Sequence, residues 1–342
     1  LFAELMPPQK NIKPQPLIVK PPPRPKPVPP PITSSPPSPQ SVLTKQAKKQ
    51  FLVAFLFSIF IGAGILLINP INNYIEKRKA AKTTTQTTTQ TTTRTVAQTT
   101  TQAAAAIANI GSNMVLVKGG TYTMGCTYDQ GDDCANNELP AHTVTVSTFN
   151  IGKYEVTQAQ WQAIMGSNPS KFKGCPQCPV ENVSHNDINA FLKKLNGKYP
   201  PSGDSRAYRL PTEGEWEYAA RGGNKTKGYK YAGNNNIDSV TWYSENNGIA
   251  TQAVGGKAPN ELGLYDMSGN VWEWCYDWYG NGYYTQSGGA RNPTGPKRGS
   301  SRVLRGGSWD NGAILCRVTY RRYETPSNRY STCGFRLVFV PK

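Results

Sequence analysis

Seven cysteines carry most of the soft, nucleophilic chemistry available to this chain, and their spacing is uneven. Cys175 and Cys178 bracket Pro-Gln, the spacing of a redox dithiol. A redox pair of that kind opens a helix after a strand. Cys178 instead runs into the loop-like PVENVS, so a short stapling disulfide is expected. Cys126 and Cys134 would close a second small loop. His142 and His185 are the only imidazoles, and neither a Ser-His-Asp arrangement nor a paired-carboxylate pattern emerges around them. Near the carboxyl end, Tyr320, Arg322, Tyr323 and Tyr330 stand close together with Arg321 and Arg329. Side chains of these types anchor binding surfaces, because they bury large area at low entropic cost and still form hydrogen bonds.

The elements that must position these groups begin at Met114, where short strand-like runs alternate with helices and long turn-rich loops, the pattern of an α+β domain. Thr157 and Gln160 form a capping box, Trp161, Ile164 and Met165 share one face, and Gly166 ends that helix. A second helix is expected from about Asn186, with Ile188, Phe191, Leu192 and Leu195 spaced for burial and Gly197 as its stop. A third is capped by Thr212, boxed by Glu215 and ended by Gly222. Runs rich in Val, Ile, Thr or Phe predict strands at 114–118, 143–151, 302–306 and 334–340.

Composition separates this part from what precedes it. Residues 1–109 carry 13 Lys and Arg against Glu4 and Glu76, whereas residues 110–342 carry 25 basic against 19 acidic residues. Most of the basic excess thus lies outside the globular part, which argues against nucleic-acid binding. Residues 1–50 are a Pro-rich basic linker suited to polyproline II. Phe51 to Ile68 is an uncharged run of 18 residues, about the length of a bilayer core, and reads as a single transmembrane helix. Lysines flank it on both sides, so charge does not fix its orientation. Residues 69–109 form a charged juxtamembrane and Thr/Gln-rich stalk. All seven cysteines follow the apolar run, a distribution that suits disulfides in an oxidising space and places residues 110–342 in the periplasm or outside the cell. Leu1 in place of Met suggests a piece of a longer chain, with a domain upstream.

MVLVKGGTYTMG, IGKYEVTQAQW, PVENVSHNDINAF, RLPTEGEWEYAARGG, GLYDMSGNVWEW and RVLRGGSWDN, followed by GFRLV, stand in this order over residues 113–341. The ordered set resembles the formylglycine-generating-enzyme, or sulfatase-modifying-factor, family. The resemblance implies a C-type-lectin-like fold with much irregular chain. In the oxidases of that family, one cysteine stands three residues after the serine of Gly-Gly-Ser and a second five residues further on. Those positions here are Asn311 and Cys316. A copper(I) site needs both sulfurs, so copper is not expected, no catalytic residue is assigned, and Cys316 is expected to pair with Cys275, leaving Cys333 single. Oxidation of a sulfatase cysteine stays open as the alternative function. Glu213, Glu215 and Glu217 fall on a helix whose role in the family is structural.

Other expectations follow from the same resemblance. Asp266, Gly269, Val271 and Glu273 match the family's calcium loop, in which two side chains and two backbone carbonyls surround a structural ion. Hard oxygen ligands from one tight turn suit Ca2+. A related branch holds non-haem iron with three histidines, which His142 and His185 cannot supply; His185 falls where the family has tryptophan. Non-enzymatic bacterial members include variable proteins of diversity-generating retroelements, whose scaffold frames a varied stretch much as RGGSW and GFRL frame residues 311–333 here. Tyr320, Arg322, Tyr323 and Tyr330 are the expected contacts to a protein or glycan ligand, and the chain reads as a membrane-tethered binding or display module.

Overall fold

Capping chemistry fixes the first helices. Thr157 caps α1 (Gln158–Met165) by accepting the Gln160 amide, and Gly166 closes it in the left-handed region at φ 86°. Ser184 and Asp187 form a box that starts α2 (His185–Lys198), and Thr212 with Glu215 starts α3 (Glu213–Ala220). Two single-turn helices follow, α4 (Ile237–Val240) and α5 (Tyr283–Gln286).

The computed structural model describes residues 72–86, 93, 98, 100–199, 207–246 and 248–340. The expected linker at 1–50 and membrane run at 51–68 lie outside these. Among the described residues no helix is long and apolar enough to cross a membrane. The chain divides into units 1–82 and 83–342, and the second carries the architecture below. Residues 100–109, expected as solvated stalk, are helical, and the helix runs on to Ser112. Ile110 is buried there beside Trp161 and Tyr208, and Gln160 Nε2 donates to Asn109 Oδ1 at 3.3 Å.

Among the described residues ten short strands make three sheets. One holds β1 (Met114–Val117), β4 (Phe149–Gly152) and β10 (Val338–Phe339), in the order β1-β4-β10. Another holds β2 (Gly120–Met124), β3 (His142–Val146) and β6 (Ala290–Arg291), in sequence order. The largest runs β8-β7-β5-β9, with β5 (Trp272–Trp278), β7 (Arg302–Arg305), β8 (Arg321–Glu324) and β9 (Cys333–Gly334). The run expected as one strand at 143–151 is therefore two strands in different sheets. Asn292 Oδ1 accepts the Ser147 amide and Thr148 Oγ1 accepts that of Gly119, which turns the chain between them. The run at 334–340 also splits, because Arg336 between its halves turns inward to Glu273.

The four-stranded sheet separates two apolar clusters. Val303 packs with Trp216, Met267 and Cys275 on one side, while Leu304 packs with Trp272, Trp274 and Phe335 on the other. Buried guanidinium–carboxylate pairs tie distant segments together, among them Arg305–Glu217, Arg317–Glu138, Arg321–Glu213 and Arg336–Glu273. Each charge is wholly or almost wholly removed from water. Stripping one partner from such a pair costs about 3–5 kcal/mol, so the pairs fix the path of the chain between sheets.

Candidate functional site

Beyond β7 the chain turns through Gly306 and Gly307, both left-handed at φ 98° and 77°. The turn brings Ser308 Oγ within 2.7 Å of both Asp310 Oδ1 and Asn311 Oδ1, and the Asn311 carbonyl accepts the Ser244 amide. Asn311 thus works as a buttress of the loop. Cys316 ends a short 3-10 turn and is fully buried with Tyr231, Val240 and Tyr243. A Cβ on Gly307 would meet its sulfur at 2.7 Å. Burial pushes the Cys316 thiol up to about 12.

Two of the expected disulfides form, Cys126–Cys134 and Cys175–Cys178. The expected Cys275–Cys316 bridge does not, and Cys275, Cys316 and Cys333 are all buried thiols. The reason is topological: Cys275 belongs to the cluster around Trp216 and Met267, and Cys316 to a separate one around Tyr243. The Cys175–Cys178 turn serves α1, since the Pro176 and Cys178 carbonyls accept the Ala159 and Gln158 amides at the helix start.

The loop at 266–273 is buried. Asp266 takes a left-handed φ of 56° and accepts the Gly255 amide at 2.7 Å. Burial raises its carboxyl to about 6. Glu273 departs from the expected geometry, because Arg336 grips both its oxygens and Trp216 Nε1 donates to one of them. Glu155, in the stretch IGKYEVTQAQW, is a buried carboxylate that carries no site signal in the sequence. Its oxygens accept from Asn270 Nδ2 and the Val271 amide. Burial first, then Asp266 and Glu273, raise it well above the usual range. Three buried carboxylates therefore share one guanidinium. Among the described residues no three acidic, Cys or His side chains are placed to hold a metal unaided, so backbone carbonyls would have to complete any such site.

His142 bonds Pro140 O and Ser287 Oγ. His185 packs edge-on to Trp274 at 5.8 Å, and burial lowers it to about 4. Both are packing residues, as their settings suggest.

The Tyr/Arg stretch divides between two faces of the edge strand β8. Arg322 opposes Leu304, and its guanidinium lies over Trp272 at 5.7 Å. Tyr320, half-buried, meets the same indole at 6.0 Å. Tyr323 opposes Val303 on the other face and stacks on Tyr279 at 4.1 Å. Alternation along a strand enforces this division. Tyr330 is 40 % exposed and accepts from Asn328 Nδ2. Arg321 is not available to a ligand, since it is buried against Glu213, and Arg329 pairs with Asp187.

The sulfatase-modifying factor enzyme 1-like domain matches residues 99–340. This chain belongs to that family. The family domain is 34 % identical over 256 residues to the chaperone protein LppX of Paenibacillus barcinonensis, covering 62 % of this chain and 83 % of that one. It is 31 % identical over 289 residues to the formylglycine-generating enzyme of Streptomyces coelicolor, covering 65 % and 87 %. Among solved structures it resembles Treponema denticola variable protein 1, with a TM-score of 0.58, 35 % identity and coverage of 67 % and 95 %. The sulfatase-modifying-factor assignment reaches back to residue 99, in keeping with the helix at 100–112.

Proposed function

We propose that the domain recognises a ligand through the corner formed by residues 308–331 and does not act as a formylglycine-generating oxidase. The state of the two oxidase-aligned positions supports this most directly: Asn311 is tied to Ser308, and Cys316 is sealed beneath Gly307. One carboxamide and one thiol do not make a soft two-sulfur site. Similar proteins include a variable protein and a chaperone as well as an oxidase, so membership of the family does not by itself imply the oxidase reaction. The full chain, given copper, a reductant, oxygen and a Cys-x-Pro-x-Arg peptide, is expected to leave the cysteine unchanged by mass. Conversion to formylglycine would overturn this reading.

The recognition face we favour holds Tyr320, Arg322 and Tyr330, with Tyr323 on the reverse of the strand. The tether is the apolar run 51–68, and the two short-loop disulfides support a setting outside the cytoplasm. A structural Ca2+ belongs to the same reading. Glu155 and Asp266, with the carbonyls of Gly269 and Val271, would hold it, and it would offset the negative charge that Arg336 leaves unbalanced. Glu273 would act through Arg336.

A further inference from the structure

Of the four arginines between residues 317 and 329, three have carboxylate partners: Arg317 with Glu138, Arg321 with Glu213 and Arg329 with Asp187. Arg322 has none among the described residues. It is exposed, and its guanidinium rests on the Trp272 indole. The acids nearby are engaged elsewhere. Asp310 accepts from Ser308, and Glu324 accepts from the Thr325 amide and Asn328 Nδ2. The same indole carries a second unsatisfied group, for Trp272 is 1 % exposed and its Nε1–H has no acceptor. A buried donor left unpaired is destabilising. An unpaired cation and an unpaired donor thus meet at one ring, with Tyr320 beside it.

We infer that this corner accepts a carboxylate of an acidic peptide segment, which pairs with Arg322 and takes the Trp272 Nε1–H. A planar carboxylate matches the guanidinium fork. The rings of Tyr320 and Trp272 would pack the aliphatic stem of the acidic side chain. The inference rests on the recognition reading and adds the chemical class of the ligand.

The test is a random-peptide phage selection on the full chain in detergent, followed by fluorescence anisotropy of the enriched peptides and of their Glu/Asp→Gln/Asn counterparts. Enriched sequences should carry acidic residues. Amidation of those residues, or Arg322→Glu in the protein, should weaken binding at least ~10-fold, whereas Arg298→Glu, an exposed basic control, should change it less than ~2-fold. Trp272→Phe, which removes the N–H and keeps a ring, should weaken binding several-fold, and its melting temperature, lowered by the smaller core ring, is read on the same preparation. If that variant unfolds, Arg322→Glu decides alone. Equal losses for Arg322→Glu and Arg298→Glu would reduce the effect to bulk charge and overturn the inference, as would inorganic phosphate displacing the peptides at equal molarity. Neutral peptides whose binding depends on Tyr320 and Tyr330 would overturn the acidic class and leave the recognition reading standing. Enrichment insensitive to every one of these residues would remove both.

Discussion

Cys316 Sγ fills the space that a side chain on Gly307 would need, 2.7 Å from where a Cβ would stand, with Leu315 O at 2.9 Å. Gly307 also holds a φ of 77°. Steric and conformational demands therefore coincide at one position. Gly307→Ala is expected to cost about 2–4 kcal/mol, strain and overpacking together, read as a lowered denaturant midpoint. Gly312 has open space around its Cβ position and no left-handed φ, so Gly312→Ala should leave the midpoint nearly unchanged. Equal midpoints for the two variants would mean that Cys316 is not packed beneath the turn.

Glu181 supplies a pH dependence whose sign can be worked out. It is fully buried, Oε2 has no hydrogen-bond partner, and burial raises its carboxyl from 4.5 to about 7 against the opposing Phe172 amide. Between these two values the folded chain binds more protons than the unfolded one. Stability from this group is therefore present below pH 4.5 and lost as pH rises through 7, by up to about 3 kcal/mol. Glu181→Gln should remove that slope, so the gap in unfolding free energy between variant and parent should shift in favour of the variant from pH 5 to 8. Parallel curves would show that Glu181 does not titrate in this range.

How much of this was legible in the sequence depends on the range of each interaction. The starts of α1 and α3 could be read because Thr157 with Gln160, and Thr212 with Glu215, are local boxes. α2 starts one residue before the expected Asn186, because Ser184 and Asp187 form a box in which Asp takes the place of the usual Glu or Gln. β5 carries no such local signal: WEWCYDW is buried on both faces along most of its length, so it lacks the alternation that marks a half-exposed strand. The four arginine–carboxylate pairs join residues far apart in sequence, and nothing local announces them. Glu155 was invisible for the same reason, since only the fold brings it to Asp266. The division of Tyr323 from Arg322 follows from alternation, and it became readable once residues 321–324 were known to be a strand.

The cation can be tested apart from any ligand. Ca2+ bound at Glu155 and Asp266 should stabilise the folded chain by about 2.7 kcal/mol at a hundredfold excess over its dissociation constant, so a chelator should lower the melting temperature by several degrees. Asp266→Ala should abolish the calcium response. It should also relieve some of the crowding among Glu155, Asp266 and Glu273 in the calcium-free protein. Identical melting curves with calcium and with chelator would remove the ion from the account.

The two faces of β8 predict opposite outcomes for neighbouring tyrosines. Tyr323 stacks on Tyr279 at 4.1 Å on the face of Val303, while Tyr320 lies against Trp272 on the face of Leu304 and Arg322. Replacing Tyr323 with alanine removes one ring of a stacked, half-exposed pair and should cost about 0.5–1.5 kcal/mol of stability, with less than a twofold change in affinity for peptides selected on the full chain. Joint replacement of Tyr320 and Tyr330 removes aromatic area from the proposed recognition face. It should weaken the same peptides by ~10-fold or more, the range of interface anchors. Chemical denaturation and anisotropy on the same preparations separate the two quantities. If Tyr323→Ala reduces affinity as much as the double variant, the ligand wraps the strand edge and contacts both faces. If neither does, recognition lies away from β8 altogether.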